Sequence, residues 1–269
     1  MRGASRESLA QLLQELKPKL EGPGAAETGE QLLDAVSVLD SSAPLRRSLA
    51  DTAVAAEAKT SLLDGLFGSR LGAEALGVLQ AVAAKRWASA QEFVSGAEHL
   101  AVTALASAAR EAGRLADTEA QLFGFGATVT GSHELQRAFA SHDAPATAKR
   151  ELAHSLVAGK VSPEAAILIG QAAAHPRGRR VTQALEDYAG IVASLQSREV
   201  AEVTVAAALS AEQEQQLAAR LAGVFGRELV LNVSVDPGVL GGVRVRVGDE
   251  VIDDTVAGRL TAVRRKIAG

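Results

Sequence analysis

The chain has 269 residues, 47% of them hydrophobic, so it is long and apolar enough to bury one large core or several small ones. Its net charge of −4 disfavours nucleic acid as a partner, and the absence of cysteine excludes disulfides and thiolate chemistry. No segment approaches the roughly 18 apolar residues of a membrane span, and the first residues lack a signal-peptide core. We therefore expect a soluble protein made in the cytoplasm.

The first third of the chain is predicted to be helical. Gly22-Pro-Gly24 and Ser41-Ser-Ala-Pro44 favour turns between its segments, and the Ala-rich stretch 73–85 combines high helix propensity with small side chains that allow close packing. Short connections of this kind are typical of antiparallel bundles. Apolar residues recur at helical spacing in three stripes: Leu9, Leu12, Leu13 and Leu16; Leu32, Leu33, Val36 and Leu39; Leu62, Leu63 and Leu66.

The same pattern recurs 90 residues later along the chain. The segments that align are Gln31-Leu-Leu-Asp with Gln121-Leu-Phe-Gly, Leu45-Arg-Arg-Ser-Leu-Ala50 with Leu135-Gln-Arg-Ala-Phe-Ala140, and Ala58-Lys-Thr-Ser-Leu62 with Ala148-Lys-Arg-Glu-Leu152. Identity at a fixed offset is the signature of an internal repeat. We predict two tandem helical bundles, an extra copy over residues 1–105 and a second copy over 106–197.

The end of the second copy carries clear boundary signals. Ser162-Pro-Glu164 supplies a capping serine and a proline at the first helical position, and a later helix runs to a break near Gln196-Ser197.

Two clusters of basic residues are interpreted as structural and not as nucleic-acid sites. Arg177-Gly-Arg-Arg180 is predicted to be a solvated link between helices, and Arg264-Arg-Lys266 a helix end.

After residue 197 the apolar period changes from helical to two. Ser210-Ala-Glu-Gln213 has the pattern of a capping box before a helix, and residues 229–235 alternate as a strand does. Val243, Val245 and Val247 alternate with Arg244 and Arg246, which predicts a half-buried strand. Gly248-Asp249 should close a hairpin, and Thr255 should cap a last helix. Residues 198–269 are thus predicted to form a small mixed α/β domain, and the fold class is mainly α.

The sequence offers no constellation that would support catalysis. Gly159-Lys160 is followed by valine and lacks the earlier glycine of a phosphate-binding loop. The five histidines lack the spacing of a metal site, and Asp253-Asp254 is interpreted as leading into a helix cap. We therefore predict a scaffold protein that is not an enzyme and has no cofactor and no metal.

The C-terminal segment carries a long match to a known family, with fixed turn glycines. The matching residues are Asp236, Gly241-Gly242, Val243-Arg-Val-Arg-Val247, Gly248-Asp249, Val251-Ile-Asp253 and Gly258-Arg-Leu260. This segment resembles the delta subunit of F-type rotary ATP synthases, which is related to the mitochondrial oligomycin-sensitivity-conferring protein. The family usually has Gly-Ser where this chain has Asp254-Thr255. Residues 106–269 resemble an ordinary delta subunit, and the extra copy resembles the longer actinobacterial form.

The resemblance implies a non-catalytic stator subunit of the peripheral stalk, peripheral to the cytoplasmic face of a bacterial membrane and in contact with it only through the complex. An N-terminal helix of an alpha subunit would occupy a groove of the second copy, and the C-terminal end of the b subunit would bind the α/β domain. The alternative is a helical-bundle adaptor of transcription or RNA metabolism, which the 3% aromatic content disfavours. Candidate contacts are Leu105, Ala108, Ala165, Leu168 and Ile169 for alpha, and Arg244, Arg246, Leu260 and Val263 for b.

Overall fold

The computed structural model describes residues 1, 3–197, 200–225, 229–236, 242–247 and 250–253. The chain divides into two compact units, Met1–Ala193 and Ser194–Gly269. The first unit is entirely helical in its described residues, and the second combines a helix with a mixed sheet. The mainly α fold with a C-terminal α/β region is therefore confirmed.

Twelve helices are described up to residue 197, the last of which continues past the boundary between the two units. They are α1 (Gly3–Glu15), α2 (Lys17–Leu20), α3 (Ala25–Ser41), α4 (Ala43–Ala50), α5 (Ala56–Phe67), α6 (Ala73–Ala84), α7 (Ala90–Glu111), α8 (Leu115–Thr130), α9 (His133–Ala140), α10 (Ala146–Val157), α11 (Pro163–Ala174) and α12 (Val181–Ser197).

The helix positions repeat at an offset of 90 residues. Helices α3, α4, α5 and α6 begin 90 residues before α8, α9, α10 and α11, respectively, and α7 begins 91 residues before α12. Residues 3–20, which form α1 and α2, correspond to residues 93–110, and these lie within α7. Helix α7 is therefore both the last helix of a first bundle, α1–α7, and the first helix of a second bundle, α7–α12.

Local contacts recur with the helices. Ser42 caps α4 by accepting a hydrogen bond from the Leu45 amide, and Ser132 caps α9 through Leu135 in the same way. The Gln31 side chain accepts from the Gly72 amide at 2.6 Å, and Gln121 accepts from Ser162 at 2.8 Å. Gln31 thus ties α3 to the start of α6, and Gln121 ties α8 to the start of α11, at matching positions in both bundles.

Helix α7 lies at the centre of the first unit. Fourteen of its residues are buried, and α3 approaches it so closely that a Cβ at Gly29 would lie 2.8 Å from Leu105 Cγ and 2.9 Å from the Ala101 carbonyl oxygen. The predicted division between residues 105 and 106 falls inside this helix. Both sets of helices pack within one compact unit, so α7 belongs to neither copy alone.

The second unit contains the strands β1 (Val200–Val205), β2 (Val230–Val235), β3 (Val243–Val247) and β4 (Glu250–Asp253), with helix α13 (Ala211–Phe225) between β1 and β2. The strand order is β2-β1-β3-β4, with β1 and β2 parallel and the other pairs antiparallel. The predicted capping box forms: the Gln213 amide donates to Ser210 Oγ, and the Ser210 amide donates to Gln213 Oε1.

The apolar residues of β1 and β3 face one side of the sheet. Val203 and Val245 are paired across the two strands and are buried with Leu221 of α13, whereas Arg244 and Arg246 are exposed. The predicted alternation in β3 is therefore present. The hairpin predicted at 248–249 and the helix predicted from Thr255 lie outside the described residues.

Candidate partner-binding surfaces

The residues predicted to receive an alpha-subunit helix lie mainly in the protein core. Leu105, Ala165, Leu168 and Ile169 have 0% exposed surface, and only Ala108 is partly exposed. A side chain with no accessible surface cannot contact a partner in this conformation. The stripes that suggested a groove instead hold α7 and α11 within the bundles. An apolar stripe has the same spacing whether it faces a core or a partner, so the sequence alone could not distinguish the two.

A buried polar cluster joins α7 to the segment between α11 and α12. Glu98 accepts hydrogen bonds from Arg177 at 2.6 Å, from Arg179 at 2.8 Å and from the Tyr188 hydroxyl at 2.7 Å. Burial and the Glu98 carboxylate raise the pKa of Tyr188 well above its usual value, so the phenol stays protonated and donates. This cluster, Glu98, Arg177, Arg179 and Tyr188, is called the Glu98 cluster below.

The segment of Arg177 is therefore not the solvated link that the sequence predicted. The Arg177 side chain is 2% exposed, and its backbone has φ of 55°, a left-handed conformation that costs a non-glycine residue about 1–2 kcal/mol. Arg177 also donates to Ser95 Oγ at 3.0 Å and lies 3.5 Å from Asp40. These contacts hold the strained turn in place. They also remove the Arg177 side chain from any surface that nucleic acid could use. No sequence motif pointed to Glu98, which is 79 residues from Arg177.

An open apolar groove lies between α8 and α12. Its free volume is about 420 Å³. Phe123 lies at this groove with half of its surface exposed, and Gly126 leaves space because a Cβ there would meet only Leu185 Cδ1, at 3.9 Å. This α8–α12 groove is lined by Leu122, Phe123, Gly126, Ala127, Thr130, Gly131, Thr182, Leu185 and Glu186.

The exposed side of the C-terminal sheet carries charged residues. Arg246 lies 3.4 Å from Glu202 on the neighbouring strand, and Arg244 is exposed two residues away. Val251 of β4 is also exposed, at 57%. The two arginines predicted to bind b are thus on an accessible face. Leu260 and Val263, the other two, lie outside the described residues.

Two further kinds of functional feature, metal sites and membrane-spanning helices, are not found among the described residues. Among them, no group of three or more histidines and carboxylates is placed to hold a metal ion, and none of their helices has the length and apolarity that crossing a membrane requires. Burial and the nearby Arg150 guanidinium lower the pKa of His175, which follows α11 as its cap.

Comparison with known proteins agrees with this description. Residues 102–267 match the family described as ATP synthase delta (OSCP) subunit. Proteins named ATP synthase subunit delta are similar over the full length of both chains: 42% identical in Renibacterium salmoninarum, 40% in Streptomyces griseus and 36% in Thermobifida fusca. A chain of the Toxoplasma gondii mitochondrial ATP synthase hexamer is 17% identical, with a TM-score of 0.36, over 62% of this chain and 95% of that one. The chain belongs to the ATP synthase delta (OSCP) subunit family.

Proposed function

We propose that this chain is a stator subunit in the peripheral stalk of an F-type ATP synthase, where it holds the catalytic head still against the torque of the rotor. The observation that carries this function is the family match over residues 102–267 together with full-length relatives named ATP synthase subunit delta. The subunit is structural and not catalytic. Its α-helical unit supplies the stiffness that such a role requires.

The division into two units suits a connector between two partners. We infer that the helical unit binds the head through an N-terminal helix of an alpha subunit, and that the C-terminal unit binds the b subunit. A stalk under load requires tight joints, and nanomolar binding corresponds to about −12 kcal/mol. Several contacts on one chain can share that load, because binding at one site raises the effective concentration at the next.

The exposed arginines of β3 support the assignment of b to the C-terminal unit. Arg244 and Arg246 present cations on a sheet face whose other side is packed against α13. An acidic, helical end of b would complement this face, with Leu260 and Val263 as further candidate contacts. The complex would place the chain at the cytoplasmic face of the membrane, with no direct membrane contact of its own.

A reconstitution tests this function. The full chain is mixed with a purified head of alpha and beta subunits and with the soluble part of b, and the complexes are resolved by analytical ultracentrifugation. We expect the head and b to sediment together only when the chain is present. Failure of the chain to bind either partner would contradict the stator function.

Charge reversal tests the assignment of b to the β3 face. The double variant Arg244→Glu, Arg246→Glu should weaken b binding and leave head binding unchanged. The control is Arg220→Glu, which reverses an exposed charge on α13 of the same unit. Equal b affinity in the double variant and the control would contradict this placement.

A further inference from the structure

Equivalent positions of the two bundles differ sharply in exposure. Leu33 on α3 is 2% exposed, whereas Phe123, its equivalent 90 residues later on α8, is 50% exposed. Val36 has no exposed surface, and Gly126 replaces it in the second bundle, where it lines the α8–α12 groove. The surface that is open in the second bundle is therefore covered in the first.

The cover on the first bundle is the end of α11 and the segment that follows it. Gln171 Nε2 donates to Ser37 Oγ at 3.2 Å, and Arg177 contacts Asp40 at 3.5 Å and Ser95 at 3.0 Å. Helix α11 also packs against α3. Each bundle thus has a seam between two equivalent helices, α3 and α7 in the first and α8 and α12 in the second. In the first bundle, the end of α11 and the segment after it occupy that seam.

The same seam on the second bundle is the α8–α12 groove. The equivalents of Ser37, Asp40 and Ser95 are residues 127, 130 and 185, and all three line this groove. No third bundle follows in the described chain, because the element after α12 is the strand β1. The surface that receives a helix end within the chain is therefore open to a helix from outside it.

The chemistry of the groove specifies its occupant. Ser37 and Ser95 are replaced by the apolar Ala127 and Leu185, whereas Asp40 is replaced by the polar but uncharged Thr130, so the groove is more apolar than the equivalent surface of the first bundle. Glu186 is exposed at the rim and adds a negative charge. We propose that the α8–α12 groove binds an amphipathic helix of a partner chain, which places an apolar stripe on Phe123 and Gly126 and a basic side chain near Glu186.

Synthetic peptides test this proposal on the full chain. The probe is a fluorescent amphipathic helix of about 18 residues, five turns long, with leucines at helical spacing and lysines beside them. A second peptide has the same leucines and glutamates in place of the lysines. We expect the basic peptide to bind at least about tenfold more tightly, measured by fluorescence anisotropy. Equal binding of the two peptides would overturn the proposed charge recognition.

A matched pair of glycine variants tests the location. Gly126→Val restores the residue of the first bundle and fills the groove, and it should weaken binding of the basic peptide about tenfold or more. Gly124→Val places the same side chain on the same helix but outside the groove lining, where a Cβ meets nothing within 4 Å, and it should bind as the unmodified chain does. Equal loss in both variants would overturn the groove assignment.

A charge variant and the oligomeric state complete the test. Glu186→Lys should reverse the preference and favour the acidic peptide. A dimer of the full chain that Gly126→Val dissociates would assign the groove to a second copy and overturn the proposal. Peptide binding to the groove goes beyond the stator function, and the two are tested separately. Failure of the unmodified chain to bind the head would contradict the stator function, whereas the peptide measurements test the groove alone.

Discussion

Glu98 of α7 carries a buried charge that the far end of the second bundle neutralises. The carboxylate is 5% exposed, and its partners Arg177 and Arg179 come from the turn before α12. Taking an ionised group out of water is costly unless it is paired and hydrogen-bonded. Here both oxygens of Glu98 accept hydrogen bonds, so the Glu98 cluster compensates the buried charge and links α12 to α7.

We predict that Glu98→Gln strongly destabilises the helical unit. The change leaves the buried Arg177 without its 2.6 Å carboxylate partner, and breaking a buried ion pair in this way costs about 3–5 kcal/mol. The free energy of unfolding, measured by urea denaturation followed by circular dichroism, should fall by that amount.

The control for this variant is Asp187→Asn. Asp187 also pairs with Arg179, at 2.8 Å, but its side chain is 44% exposed, so its loss should cost less than about 1 kcal/mol. If the two variants are equally stable, the Glu98 cluster does not hold α12 in place.

Among the helices, α3 and α7 make an unusually close approach. The contact depends on Gly29, because a Cβ there would overlap both a side chain and a backbone carbonyl oxygen of α7. The equivalent residue of the second bundle is Glu119, which could not be placed so near a neighbouring helix. The close approach is thus a property of the first bundle.

We predict that Gly29→Ala lowers stability by about 1–3 kcal/mol, since the two helices must separate to admit the methyl group. Gly65→Ala is the matched control on α5, where a Cβ meets nothing within 4 Å. It should raise stability by about 0.5–1 kcal/mol through helix propensity. Thermal denaturation measures both, and a stabilising effect at position 29 would show that the contact is loose.

The helices illustrate what the sequence could and could not predict. The 90-residue offset was readable because the helix caps and leucine stripes are local, and the capping box at Ser210 formed as expected. The sharing of α7 between the two bundles could not be predicted, since the identities that reveal the repeat lie in the interior of each copy. The Glu98 cluster depends on residues far apart in the chain, and no local pattern identifies them before folding.

At the scale of the whole molecule, the shared helix decides how the chain can be divided. A cut between residues 105 and 106 would separate α7 from the residues that pack around it. Fragment 106–269 then lacks Glu98, the buried hydrogen-bond partner of Arg177 and Tyr188, whereas fragment 90–269 keeps α7 entire. A boundary at residue 105 predicts two bundles that fold independently. A shared α7 predicts that the second bundle folds only when α7 is entire.

We predict that fragment 90–269 unfolds cooperatively in urea and that fragment 106–269 does not, because the second bundle needs its first helix to close its core. Circular dichroism and intrinsic Tyr188 fluorescence should give coincident transitions only for the longer fragment. Cooperative unfolding of fragment 106–269 with the same midpoint would support the boundary at residue 105 and contradict the sharing of α7.

The overlap of the bundles at α7 also has a mechanical consequence. Two domains joined by a loop would twist against each other at that loop. Part of the torque of every rotor step would then deform the loop. Here the junction is a continuous helix of 22 residues, about 33 Å of hydrogen-bonded backbone. A chain that is lengthened by one such repeat therefore gains five helices and no flexible hinge. Its added length does not lower its stiffness against twisting at the junction.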